Sequence, residues 1–280
     1  MNGKEIADII RNNNMVEAEK LITKGVQPTL AFVRVGDDPA SKGYHESAVI
    51  KADNNRIKCE SFIYDANISE EDFLKEFEAI NNRSDIHGIL LLRPLPDHLP
   101  YDKISLVIDP DKDVDGMSPV NIGKTFSPEP MDFVPITPIS VMRMLEHYNI
   151  ELKGKEVVVI GHSLVVGRPL SMLLVDKNAT VTICHIDTKD TKMYMKNADI
   201  IISATGKKWL ITKDFIKEGA VVVDVGTSYI DGKVYGDVHF DEVKPLASYI
   251  NPVPGGIGAI TSEILSERVI YSAKKLQQGL

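Results

Sequence analysis

Lys155-Glu156-Val157-Val158-Val159-Ile160-Gly161-His162-Ser163-Leu164-Val165-Val166-Gly167-Arg168-Pro169 is the stretch that decides the fold. Glu156 to Ile160 is a short β-branched apolar run, the pattern of a strand buried in a parallel sheet. Gly161 ends it, and Gly167 follows six residues later, ahead of a run from Arg168 to Leu174 that reads as a helix. Pro169 in the first turn of that helix costs nothing, because the N–H it lacks would have no partner there. Strand, glycine turn and helix start bring backbone N–H groups and the positive end of a helix dipole to one point, which makes an anion site. The same pattern also serves as an ordinary βα turn, so the rest of the chain has to discriminate.

Outward from this stretch the chain alternates. Asn2 to Lys24 has apolar residues at helical spacing, with Gly25 as its C-cap. Thr29 to Val35 reads as a strand, Ser41 to Asn55 as a helix, Cys59 to Tyr64 as a strand, and Gly88 to Leu92 as a third strand after a helix capped by Ser69. Arg93-Pro94-Leu95-Pro96 breaks the pattern at the carboxyl end of that strand, the edge where open α/β sheets bind ligands. A proline-rich section from Pro110 to Pro138 is the interdomain candidate, and Ile139 to Tyr148 is a helix leading into the glycine turn. Beyond the turn, Thr180 to Cys184, Ile200 to Ser203 and Ala220 to Asp224 are strands. Asp231-Gly232 marks a hairpin, and a last helix starts near Thr261. The fold class is α/β in two domains with a ligand cleft between them. Residues 1–138 form an N-terminal α/β domain, residues 139–261 a Rossmann-like parallel sheet, and the helix of 262–280 is expected to pack back on the first.

Composition limits the partners. A net charge of -8 argues against a nucleic-acid backbone or an acidic membrane. The two cysteines, Cys59 and Cys184, read as buried thiols of a reduced compartment, and the seven histidines show no metal-ligand spacing. With no signal-peptide pattern and no long apolar run, the expected location is cytoplasmic.

Several segments together resemble the methylenetetrahydrofolate dehydrogenase/cyclohydrolase family over almost the whole chain. They are Val35-Gly36-Asp37-Asp38-Pro39-Ala40-Ser41 with Tyr44, Gly88-Ile89-Leu90 with Pro94-Leu95-Pro96, and Asp111-Lys112-Asp113-Val114-Asp115-Gly116. Thr137-Pro138, Val166-Gly167-Arg168-Pro169, Asp224-Val225-Gly226 and Pro252-Val253-Pro254-Gly255-Gly256 complete the set. The resemblance implies a tetrahydrofolate derivative bound beside a nicotinamide, hydride transfer from the folate's methylene bridge, hydrolysis of the methenyl product in most members, and a homodimer. Position by position it makes Tyr44 the aromatic that stacks on the folate ring and Asp115 the carboxylate that bonds the pterin edge. Pro254 and Gly255 become lining of the folate pocket, and Gly161, His162, Ser163, Gly167, Gly226 and Thr261 contacts to the dinucleotide. Taken singly, Tyr44 is equally a surface aromatic and Asp115 a turn-former.

Two chemical positions depart from the family. Its lysine, one helical turn after the tyrosine, is Ala48 here, and its partner glutamine, two residues before the Pro-Leu-Pro run, is Leu92. Hydrolysis at the methenyl carbon needs an activated water and a proton shuttle, work for a positioned lysine. Hydride transfer needs positioning and no enzyme base. The expectation is therefore a dehydrogenase with weak or absent cyclohydrolase; the alternatives are the usual bifunctional enzyme with NADP and a non-catalytic folate- or nucleotide-binding paralogue. Lys51 and Arg93 are the nearest substitutes for the missing cation. Lys51 should sit around the helix from Ala48, and Arg93 should point to the face of its strand opposite Leu92.

The glycine turn also speaks to the cofactor. Family members that use NADP hold its 2′-phosphate with an arginine after the first glycine and with a serine and a basic residue after the next strand; here those places hold His162, Ile186 and Asp187. Asp187 falls twenty residues after Gly167, where an acid grips the ribose hydroxyls of NAD. A carboxylate about 5 Å from a dianionic phosphate costs several kcal/mol at an effective dielectric of ~20. NAD is favoured over NADP, with Arg168 and Lys189 the cations that could still reach a phosphate.

Overall fold

The computed structural model describes residues 1–127 and 132–278. Pro128 and Pro130 of the proline-rich section, and Gly279 and Leu280 of the helix expected over 262–280, lie outside the described residues. The chain divides into two compact units, one of residues 8–121 with the chain from Ser262 on, the other of Met1–Ala7 with Ile122–Thr261. All three divisions fall inside helices, α1 (Gly3–Thr23), α5 (Pro119–Gly123) and α10 (Ile257–Gln278).

The first unit is built on a three-stranded parallel sheet of β1 (Thr29–Val35), β2 (Lys58–Tyr64) and β3 (Gly88–Leu91), in the order β2-β1-β3. The central strand is buried at every position, as its unbroken apolar run requires. Two crossover helices join the strands. α2 (Pro39–Asn54) starts on Asp38, whose carboxylate accepts from the Ser41 N–H at 2.8 Å, so it begins two residues before the sequence reading. α3 (Glu70–Asn81) is capped by Ser69, with Glu70, Glu71 and Asp72 complementing the dipole. Phe73, Phe77 and Ile80 of α3 pack with Ile86, Ile89 and Leu91 into one core. Each of these large side chains contributes about 1.5–3 kcal/mol by leaving water. α4 (Tyr101–Val107) sits in a segment that the sequence reading left as loop.

The second unit carries α5 (Pro119–Gly123) at its boundary and α6 (Ile136–His147), which starts three residues before the expected helix because Thr137 and Pro138 fit a first helical turn. Its five-stranded parallel sheet comprises β4 (Glu156–Ile160), β5 (Thr180–Cys184), β6 (Ile200–Ser203), β7 (Val221–Asp224) and β10 (Tyr249–Ile250), in the order β10-β7-β6-β4-β5. Helices α7 (Gly167–Asp176), α8 (Thr191–Met195) and α9 (Phe240–Val243) belong to this unit. β8 (Ser228–Ile230) and β9 (Lys233–Tyr235) form the expected hairpin, with Asp231 and Gly232 both at positive φ. α10 begins at Ile257, four residues ahead of the expected start. Among the described residues no helix is long and apolar enough to cross a membrane.

Candidate functional site

Strand β3 positions the first group of residues. The segment after α4 returns alongside it in parallel: Ile89 pairs with Asp113, and the Ile89 N–H donates to the Lys112 carbonyl at 2.7 Å. Two residues further along each chain, Asp115 comes level with the end of β3. The residues of this loop have separate tasks. Lys275 bridges both oxygens of Asp111 at 2.8 Å, and the buried Lys112 ammonium donates to the carbonyls of Asn81 and Arg83 at 2.7 and 2.6 Å. Asp113, fully buried, accepts from the N–H groups of Gly116, Met117 and Ser118 and from Asn121 Nδ2, all within 3.0 Å. Val114 is in the core, and its carbonyl accepts from Arg268 at 2.9 Å.

Asp115 alone keeps its carboxylate open: among the described residues it accepts no hydrogen bond, and its side chain is 24% exposed. Burial raises its pKa above the ordinary aspartate value, with Asp113 adding and Arg93 and Arg268 opposing. Tyr44, on α2, faces the same carboxylate. Burial, and then the Asp115 charge, push its hydroxyl up to about 12, while the residue as a whole is 46% exposed. An open aromatic beside a carboxylate free of hydrogen bonds is the pairing a flat heterocycle with N–H donors requires.

One turn beyond Tyr44, Ala48 is half-buried, and Leu92 is 4% exposed with its N–H bonded to the Val33 carbonyl at 2.8 Å. Neither side chain offers a donor. Lys51 is engaged elsewhere, its ammonium donating to Ser262 Oγ at 2.9 Å. Arg93 is exposed where Leu92 is buried, and its guanidinium comes 3.9 Å from Asp115. It also lies over the Tyr101 ring at 5.6 Å from the centroid. The Tyr101 hydroxyl is buried without a hydrogen-bond partner among the described residues, and burial pushes it up to about 12. Neither Tyr101 nor the turn-pinning Asp113 is legible as a site residue, since their burial follows from how the loop packs against β3.

The second group stands in the other unit, at the carboxyl ends of its parallel strands. β4 lies between β5 and β6, so the order in which strands are added reverses there, the switch point at whose carboxyl ends open α/β sheets bind ligands. Gly161 fills that point at φ 113°, and a Cβ on it would stand 2.5 Å from the Ala204 carbonyl oxygen. A Cβ on Gly167 would stand 1.9 Å from the Gly161 oxygen, so the turn folds onto its own start with no room for a side chain. Ser163 closes the turn, accepting from the Val166 N–H at 3.1 Å, and leads into α7. His162 and Ser163 are exposed on the turn.

Gly226, after β7, is set by a carboxylate: a Cβ there would stand 1.9 Å from Asp237 Oδ1. Asp237 accepts from Ser203 Oγ and the N–H groups of Thr205 and Lys207, tying the ends of β6 and β7 together. Its neighbour Asp224 is pushed up to about 7 by burial, with three backbone N–H groups pulling down and Asp237 adding to the rise. Asp187 is open, with its side chain 85% exposed and an oxygen 3.6 Å from His185 Nδ1; the His162 and His185 rings lie 4.8 Å apart. Thr261 is half-buried, 3.0 Å from the Ile257 carbonyl and 3.1 Å from Ser140 Oγ. Pro254 and Gly255 belong to this unit, and the Gly255 carbonyl accepts from the Gly3 N–H at 2.9 Å. Among the described residues no group of three or more His, Cys, Asp or Glu could hold a metal ion.

Comparison with known proteins covers both units. The tetrahydrofolate dehydrogenase/cyclohydrolase catalytic-domain family matches residues 1–115, and the NAD(P)-binding domain of the same family matches residues 135–277. The bifunctional protein FolD of Aquifex aeolicus is 44% identical over 98% of this chain and 95% of its own. The solved structure of the Campylobacter jejuni bifunctional enzyme FolD, methylenetetrahydrofolate dehydrogenase/cyclohydrolase, superposes with a TM-score of 0.95 at 41% identity over 98% of each chain. The Trypanosoma brucei methylenetetrahydrofolate dehydrogenase-cyclohydrolase, complexed with NADP and an inhibitor, superposes with a TM-score of 0.93 at 31% identity over 98% of this chain and 97% of its own.

Proposed function

The chain belongs to the tetrahydrofolate dehydrogenase/cyclohydrolase family, and on that premise we propose that it oxidises 5,10-methylenetetrahydrofolate with a nicotinamide dinucleotide. The observation that carries this reading is the Asp115 carboxylate, enclosed yet free of hydrogen bonds among the described residues. A folate's N3–H and 2-amino groups supply the two donors that this carboxylate lacks. Tyr44 stacks on the ring.

The dinucleotide belongs at the glycine turn in this reading; Cβ atoms at Gly161, Gly167 and Gly226 would meet backbone and Asp237, so glycine is what lets the turn close this tightly. Backbone N–H groups at the start of α7 suit its pyrophosphate, with His162, Ser163, Gly226 and Thr261 beside it. When bound, the nicotinamide supplies the acceptor for a hydride. The folate loses a C–H bond at the methylene carbon with its electron pair, and the adjacent nitrogen lone pair closes the methenyl cation, so the protein has no proton to move in this step. Positioning is what it provides.

For the hydrolytic step, the relatives' names support the bifunctional reading better than a dehydrogenase alone. A second reading, with cyclohydrolysis weak or absent, rests on one feature of this chain: Ala48 and Leu92 place no cation and no amide where the family carries a lysine and a glutamine. For the cofactor, the NADP complex of the Trypanosoma brucei relative supports NADP. The reading with NAD rests on the open carboxylate of Asp187 and on Ile186, which offers a phosphate no donor. Reduced nicotinamide should appear when the protein meets methylenetetrahydrofolate with either cofactor, and the ratio of kcat/KM values decides between them. No reduced nicotinamide with either, in a protein that still binds folate, leaves the non-catalytic paralogue.

A further inference from the structure

We infer that Arg93 and Asp115 act as one donor–acceptor pair that reads the whole pyrimidine edge of a folate, with Arg93 taking the oxygen at C4. The inference rests on the folate reading above and deepens it. Arg93 stands 3.9 Å from Asp115, too far for a hydrogen bond and near enough for an ion pair, so the two groups lie side by side and neither consumes the other. The Arg93 side chain is 47% exposed and, among the described residues, donates no hydrogen bond; its Cζ lies over the Tyr101 ring, 5.6 Å from the centroid. The other charged groups facing Asp115 are already committed. Asp113 is filled by its loop, and Arg268 donates to the Val114 carbonyl.

A folate's pyrimidine ring presents three groups in a row: the 2-amino group and N3–H, both donors, and the C4 oxygen, an acceptor. A carboxylate answers the first two and nothing else, because it only accepts. Arg93 supplies the missing donor beside it, with charge, in a region where Ala48 and Leu92 supply none. A 2,4-diamino ring carries a donor at C4, so it meets the guanidinium donor to donor. Sites built to bond one polar group reject the analogue that lacks it. The pair therefore makes this pocket selective for 4-oxo over 4-amino pteridines.

Equilibrium binding of folic acid and of its 2,4-diamino counterpart tests this, on the wild-type chain, Arg93→Gln and Arg93→Lys. The wild type should prefer folic acid. Arg93→Gln should weaken folic acid roughly tenfold, as expected for losing one charged hydrogen bond, and leave the diamino compound unchanged or tighter. Arg93→Lys should keep part of the preference, and dinucleotide affinity should be unchanged in all three. If Arg93→Gln weakens both pteridines equally, or neither, the inference is overturned while the folate reading stands. If the wild type binds neither, both fall together.

Discussion

Asp113 and Asp115 sit two residues apart on one loop and have opposite fates: the first accepts four hydrogen bonds, and the second accepts none among the described residues. One carboxylate builds the loop and the other is what the loop presents.

The division predicts opposite mutant behaviour. Asp113→Ala strands four buried donors and should lower stability by on the order of 3 kcal/mol, visible as a fall in the denaturation midpoint. Asp115→Asn should leave that midpoint nearly unchanged and weaken folate binding by at least about tenfold. Equal loss of stability in both variants would contradict the division.

Asp115 also sets a pH dependence. Burial raises its pKa, so on acidification it takes up a proton at a higher pH than an ordinary aspartate and stops accepting from the pterin. The folate KM should therefore climb on the acid side at a pH above the usual carboxylate range, while the dinucleotide Kd should not follow. A profile that is flat down to the ordinary aspartate pKa would count against Asp115 as the anchor.

The glycine turn has no slack. Gly167→Ala puts a methyl group where the Gly161 oxygen already stands, 1.9 Å away. The turn must open to admit it, at a cost of about 1–3 kcal/mol, and dinucleotide affinity should fall while folic acid affinity is kept. Calorimetric titration of each ligand separates the two effects.

Ala48 and Leu92 decide the hydrolytic half. If their replacement is what slows cyclohydrolysis, methenyltetrahydrofolate should decay at close to its uncatalysed rate with the wild-type chain. Ala48→Lys combined with Leu92→Gln should then raise that rate by about 10²-fold or more, the usual contribution of a positioned acid–base group. Rapid wild-type hydrolysis would instead support the bifunctional reading that the relatives' names favour.

Much of this was legible because it is local. The β-branched run of β4, the spacing of Gly161 and Gly167 and the proline in the next turn state a strand, a turn and a helix in fifteen consecutive residues. Ser69 before three acids states a helix start. Two-residue β10 carries too little pattern to be read, and Gly256 and Gly258 disguise the first turn of α10 as loop. The burial of Asp113 and the placement of Arg93 beside Asp115 were illegible for another reason. They follow from the parallel pairing of Ile89 with Asp113, which sequence spacing does not announce.

The central claim is hydride transfer from a folate held by Asp115. Its most direct test gives the protein 5,10-methylenetetrahydrofolate deuterated at the methylene carbon, together with oxidised nicotinamide cofactor, and analyses the nicotinamide by mass spectrometry. The account predicts deuterium on the reduced ring with the wild-type chain and a strongly slowed appearance with Asp115→Asn. Folate binding without any labelled nicotinamide would contradict it.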